Sequence, residues 1–103
     1  MNIEDFVQIN STFIRKDSIS TIEIEKNEVY DDDIDYISND GKRPADMFVI
    51  INNTEYCIPD ENTDAWFTFI KTLYNESDYE AVRKISGNLC RSAKSRGIKG
   101  QED

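Results

Sequence analysis

Met47-Phe48-Val49-Ile50-Ile51 is the most apolar run in the chain. It is too short to span a membrane and too β-branched to favour a helix, so it reads as a central strand with side chains packed on both faces. Asn52-Asn53 follows at once. Asn tolerates positive φ, so this pair forms a tight turn. Thr54-Glu55-Tyr56-Cys57-Ile58 then pairs back, and Pro59 ends the strand. A β-hairpin at 47–58 is thus the framework to which the rest must adapt.

Upstream, the signals are again those of strands. Phe6-Val7-Gln8-Ile9 turns through Asn10-Ser11 into Thr12-Phe13-Ile14, and Arg15 to Ser18 reads as another turn. Ser20 to Glu25 alternates, with Ile22 and Ile24 on one face and Thr21, Glu23 and Glu25 on the other, as in a strand with one wet face. Downstream, the period changes. Asp60 to Asp64 supply caps and first-turn carboxylates, and Trp66, Phe67, Ile70, Leu73 and Tyr74 make one wide apolar helical face. Trp66 is expected in the core. Ser77-x-x-Glu80 reads as a capping box opening a second helix, with Tyr79, Val82, Ile85 and Leu89 as its stripe and Gly87-Asn88 as a weak point. The expected fold is α+β, an antiparallel β-meander of about five strands with one or two C-terminal helices packed on it. Residues 1–92 form the single small domain, with an acidic strand or loop at 28–40, and residues 93–103 form a basic flexible tail.

The 103 residues carry a net charge of −9, but its distribution says more than its sum. Residues 1–80 hold 19 acidic and 6 basic side chains, and residues 81–103 hold 2 acidic and 6 basic. An acidic body repels nucleic acid and anionic membrane, and attracts basic protein surfaces. The N-terminus lacks the basic and apolar regions of a secretion signal, and a soluble, cytoplasmic protein is expected. Three glycosylation sequons, at Asn10, Asn52 and Asn75, then read as chance matches in an Asn-rich chain. Cys57 and Cys90 match no metal or redox spacing and read as partly buried thiols, with a disulfide as the lesser alternative.

The chain contains no His, which removes Ser-His and Cys-His pairs, His-containing metal sites and the commonest general base. No Gly-rich loop follows a strand, so no phosphate cradle is expected. Asp31-x-Asp33-x-Asp35 opens like a calcium loop, but position six is Tyr36 instead of Gly and position twelve is Lys42 instead of Glu. No catalytic residue, metal or cofactor is therefore expected.

What remains is the acidic stretch itself. Glu28, Asp31, Asp32, Asp33, Asp35 and Asp40 occur with no basic residue among them, interleaved with Tyr30, Ile34 and Tyr36. If extended, the stretch places Asp31, Asp33 and Asp35 on one face about 6.7 Å apart, with Tyr30, Ile34 and Tyr36 on the other. Aromatic residues beside acids suit a protein-binding epitope. Glu28, Tyr30, Asp31, Asp32, Asp33, Asp35, Tyr36 and Asp40 are therefore the candidate partner-binding residues. In size, acidity and lack of catalytic residues, the chain is similar in composition to phage-encoded inhibitors such as anti-CRISPR proteins and other DNA mimics. Usage rich in Asn, Ile, Lys and Asp is consistent with a low-GC bacterium or its phage. This resemblance implies a non-enzymatic inhibitor that occupies a basic, nucleic-acid-binding surface of a partner such as a nuclease. Two alternatives stand beside it: a structural or regulatory homo-oligomeric adaptor, in which the acidic run is a solubility feature, and an immunity protein against a basic nuclease toxin, which shares the first mechanism.

Overall fold

A computed structural model describes residues 3–27 and 46–96. A short 3-10 turn precedes strand β1 (Phe6–Ile9), which pairs antiparallel with β2 (Thr12–Arg15). After a second 3-10 turn at Lys16–Ser18 come β3 (Ile22–Asn27), β4 (Met47–Ile51) and β5 (Thr54–Ile58). Helices α1 (Thr63–Tyr74) and α2 (Tyr79–Ser92) follow, and a last short strand, β6 (Lys94–Arg96), closes the described chain. No helix among the described residues is long and apolar enough to cross a membrane.

The fold is α+β, but the strands do not form one antiparallel meander. They form two sheets: the β1–β2 hairpin, and a four-stranded mixed sheet in the order β5-β4-β3-β6. Two causes are visible. The hairpin is drawn away from β3 because β1 lies against α1, where the Gln8 N–H donates to Thr72 Oγ1 at 2.9 Å. In addition, β6 returns from α2 to run parallel to β3, pairing Glu25 with Lys94 and Asn27 with Arg96. Residues 94–96, expected within a basic tail, thus take part in the sheet.

The 47–58 hairpin forms as its sequence dictates. Ile51 pairs with Thr54 across Asn52 and Asn53, whose φ values are 51° and 70°. Among the described residues every non-Gly position with positive φ is Asn: Asn10, Asn52, Asn53 and Asn75. Asn is one of the few side chains that tolerate this region. Asn52 does more than turn the chain. Its Oδ1 accepts from Ser20 N at 2.8 Å, Ser20 Oγ at 3.0 Å and Thr21 N at 3.2 Å, while its Nδ2 donates to Ser18 O at 2.8 Å. The turn therefore fixes where β3 begins.

On β4, Met47, Val49 and Ile51 are buried, while Phe48 and Ile50 on the opposite face are half-buried. The buried face joins Val7, Ile9, Ile58, Trp66, Phe69, Ile70, Val82 and Cys90 in one core. The helical stripes differ in detail from the expected ones. Phe69, fully buried, replaces Tyr74, which is 48% exposed. Tyr79 is 49% exposed and stacks edge-on to Phe67 at 5.9 Å between ring centroids. The buried positions of α2 are Val82, Ser86, Gly87 and Cys90, so the helix continues through Gly87. Its absent side chain lets the backbone sit on the buried face. Asp78, not Ser77, caps α2: Asp78 Oδ2 accepts from Ala81 N at 3.0 Å, and Glu76 Oε2 accepts from Asp78 N at 2.9 Å. A carboxylate is the stronger acceptor at the positive end of a helix.

Trp66 is a core residue, as expected, at 4% exposure. Its indole Nε1–H donates to Ser86 Oγ at 2.8 Å inside the helix–helix contact. Removing that acceptor strands a buried donor. Ser86→Ala is expected to destabilise the fold by about 1–3 kcal/mol, measured by urea unfolding followed through Trp66 fluorescence.

Candidate functional site

The eight residues singled out by sequence, Glu28, Tyr30, Asp31, Asp32, Asp33, Asp35, Tyr36 and Asp40, lie outside the described residues. What the structure supplies is the frame that bounds them. Residues 28–45 connect β3 to β4, which are adjacent and antiparallel. The last described residues on either side are held together: Asn27 N donates to Asp46 O at 3.2 Å, and Asn27 Nδ2 to Asp46 Oδ2 at 3.4 Å. The other Asp46 oxygen, Oδ1, accepts from Asp60 N at 3.0 Å. Asp46 therefore braces the roots of the acidic segment against the start of a second acidic run, Asp60, Glu61 and Asp64, where β5 leads into α1. In sequence the two runs are separated by the hairpin. In the fold the residues that flank the first run, Asn27 and Asp46, lie beside the start of the second at one end of the sheet.

Beside this corner lies a feature that sequence reading missed. On the sheet face opposite the core, Arg96 reaches across three strands. Its Nε and Nη2 donate to Glu25 Oε1 at 3.0 and 2.7 Å. Its Nη1 and Nη2 donate to Glu55 Oε2 and Oε1 at 3.2 and 2.8 Å. The guanidinium carbon stands 3.9 Å from the centre of the Phe48 ring, a cation–π contact. Hydrogen bonds to Glu55, then to Glu25, hold the Arg96 guanidinium even more firmly charged than usual. In return, the hydrogen bond from Arg96 holds the Glu55 carboxyl below the ordinary glutamate range. Period-2 alternation does put Glu25 on the wet face of its strand, but nothing local links it to an arginine 71 positions away.

Lys26 is a residue whose charge argues for the outside although alternation places it inside. It lies on the core side of β3 at 6% exposure, where Nζ donates to Cys90 O at 3.0 Å. The two thiols are free. Cys90 is buried, as expected in part, whereas Cys57 is exposed. Partial burial first, and the charges of Asp46 and Glu55 next, push the Cys57 thiol up, away from the reactive thiolate.

An open depression is lined by Glu4, Lys71, Thr72, Asn75, Glu76 and Ser77. Several of these groups hold structural hydrogen bonds. Thr72 binds β1, Asn75 Oδ1 accepts from Lys16 Nζ at 3.2 Å, and Glu76 accepts from Asp78. Among the described residues, no three carboxylate or thiol side chains converge to hold a metal ion. No family model matches the chain, and neither a curated protein nor a solved structure is significantly similar to it.

The Arg96 cluster gives a directional pH effect. Glu55 has a lowered folded value, so its contribution is full above the ordinary glutamate pKa of about 4.3 and is lost as pH falls through the lowered value. Carboxyl-detected NMR is expected to show Glu55 titrating below the glutamate range in the wild type and within it in Arg96→Met.

Proposed function

We propose that the protein is a non-enzymatic binding protein, an inhibitor of the kind carried by phages and mobile elements. Its acidic surface occupies the basic, nucleic-acid-binding surface of a partner protein. The feature that supports this reading is the acidic run of residues 28–40 in the sequence, whose described flanks, Asn27 and Asp46, are joined to each other and to Asp60. Asp46 ties the roots of residues 28–45 to Asp60. Asp60, Glu61 and Asp64 take part in no ion pair among the described residues, whereas Glu25 and Glu55 share Arg96 as their partner. The corner beside Asp46 thus carries acidic charge that no described cation pairs with.

Charges grouped within about one Debye length, ~8 Å at physiological salt, act together on an approaching partner. Such a field raises association rates and selects basic surfaces. Grooves that handle nucleic acid are basic because they must meet a regular array of phosphates, one per about 3.4 Å of rise on each strand. An extended run bearing Asp31, Asp33 and Asp35 offers carboxylates at about twice that interval. The same sign of charge disfavours nucleic acid and anionic membrane as direct ligands.

Replacing Asp31, Asp33 and Asp35 together by Asn keeps shape and removes charge. Affinity capture from cell lysate is expected to retain a basic partner on the wild type at low salt and to lose it at high salt. The triple variant is expected to lose the partner at both, with circular dichroism and Trp66 fluorescence unchanged. Equal capture by the two proteins would overturn the proposal.

A further inference from the structure

We infer that Glu25, Phe48 and Glu55 form a seat for a guanidinium group. The chain's own Arg96 fills it in the free protein, and an arginine of a basic partner replaces Arg96 in the complex. The identity of this second occupant rests on the reading above; the chemistry of the seat does not.

Three adjacent strands build the seat. Glu25 on β3 stands opposite Phe48 on β4, and Glu55 on β5 is the neighbour of Ile50, two residues further along β4. The Phe48 ring supplies a flat face and the two carboxylates supply the rim. A planar, five-donor guanidinium can stack on the face while donating in plane to both carboxylates, and an ammonium cannot do both. Arg96 makes this arrangement with four hydrogen bonds of 2.7–3.2 Å above the ring.

The occupant is held less firmly than the seat. Arg96 belongs to β6, a three-residue edge strand whose Lys94 and Ser95 are exposed. Glu25, Phe48 and Glu55 belong to strands of five or six residues that pair along their lengths. The seat also adjoins the acidic corner, since Asn27 and Asp46 are each two residues from Glu25 and Phe48 respectively. A basic surface drawn to that corner arrives within reach of it. An occupied seat lowers the apparent affinity for an outside ligand by the fraction of time it stands vacant. Arg96 is then an intramolecular competitor, and a partner's arginine that displaces it frees β6 from its anchor.

The test uses small cations so that it does not depend on any partner. Isotope-labelled wild type and Arg96→Met are titrated with L-argininamide and, at equal ionic strength, with L-lysinamide. Shifts at the amides of Glu25, Phe48 and Glu55 are expected in Arg96→Met with L-argininamide, at an affinity about tenfold or more above that of the wild type. They are expected to vanish when Glu25→Gln and Glu55→Gln are added. An absent response, or equal responses to the two cations, would reduce Arg96 to a structural clamp and overturn the inference. If Arg96→Met does not fold, hydrogen exchange at Lys94–Arg96 in the wild type decides. Faster exchange with L-argininamide than with L-lysinamide supports displacement, and identical exchange overturns it. Failure of either arm leaves the acidic-segment proposal standing, because that proposal is read from Asp31, Asp33 and Asp35.

Discussion

One helix joins the layers of this fold. Trp66, Phe69 and Ile70 on α1 are buried, and the helix is fastened on two sides by hydrogen bonds. Thr72 receives the backbone of β1, and the Trp66 indole reaches Ser86 on α2. Since α1 packs beside the inner face of β4, the hairpin, the mixed sheet and α2 share a single core. That matters in a chain of this length, where a small core leaves little surplus stability. Two polar contacts, one buried and one part-buried, help fix which faces meet, because alternative packings would leave the indole N–H and the Gln8 N–H without these acceptors.

Helices cover only one face of the four-stranded sheet among the described residues. The other face presents half-buried Phe48 and Ile50 beside Glu23, Glu25, Glu55 and Arg96. A purely apolar face there would be a liability for aggregation, and a purely acidic one would repel itself. Arg96 addresses both at once, standing over the Phe48 ring and offsetting part of the charge of Glu25 and Glu55. The pairs are partly exposed, with side-chain exposures of 33% for Arg96, 19% for Glu25 and 47% for Glu55. Solvent screening therefore limits what each contributes to stability. Specificity of placement is their larger effect, since they set the register of a strand too short to be held by its ladder alone.

The parts of this architecture that were legible in sequence are those encoded over a few residues. The 47–58 hairpin follows from an apolar run, an Asn-Asn pair and a β-branched return. The helix at Trp66 follows from apolar period, and its N-cap, Asn62, falls within the Asp60–Asp64 stretch expected to supply it. The α+β class follows from the order of these segments. The parts that were not legible depend on distant residues. Nothing near Arg96 predicts that it meets Glu25 and Glu55, and a three-residue strand carries no periodicity to read. The β1–β2 hairpin carries the same signals whether it joins a sheet or leans on a helix, and Thr72 decides which. Lys26 shows the same limit, because strict alternation places it inside while its charge argues for outside. A carbonyl at the end of α2 settles the conflict. The acidic residues from Glu28 to Asp40 were identified from composition, and only their anchoring at Asn27 and Asp46 is structural.

That anchoring bears on how the charge is used. Carboxylates about 6.7 Å apart repel by about 0.6 kcal/mol per pair in water. A run of them therefore opposes its own ordering, more so where a second run is brought alongside. Folding gains nothing from such an arrangement, and a charged loop kept for solubility would be better dispersed. Asp46 spends both carboxylate oxygens on joining the flank of the first run to the start of the second, one on Asn27 and one on Asp60. The arrangement becomes favourable only when positive charge is placed against it, and then the same repulsion turns into a gain that falls with salt. The cluster around Arg96 shows the form that satisfaction takes on this sheet: a guanidinium over an aromatic ring, bonded to two carboxylates. On the proposed reading, a partner rich in arginine would meet both the attraction at the corner and the shaped contact next to it, and a lysine-rich one only the first, so arginine content, beyond net charge, would separate a good partner from a merely basic one.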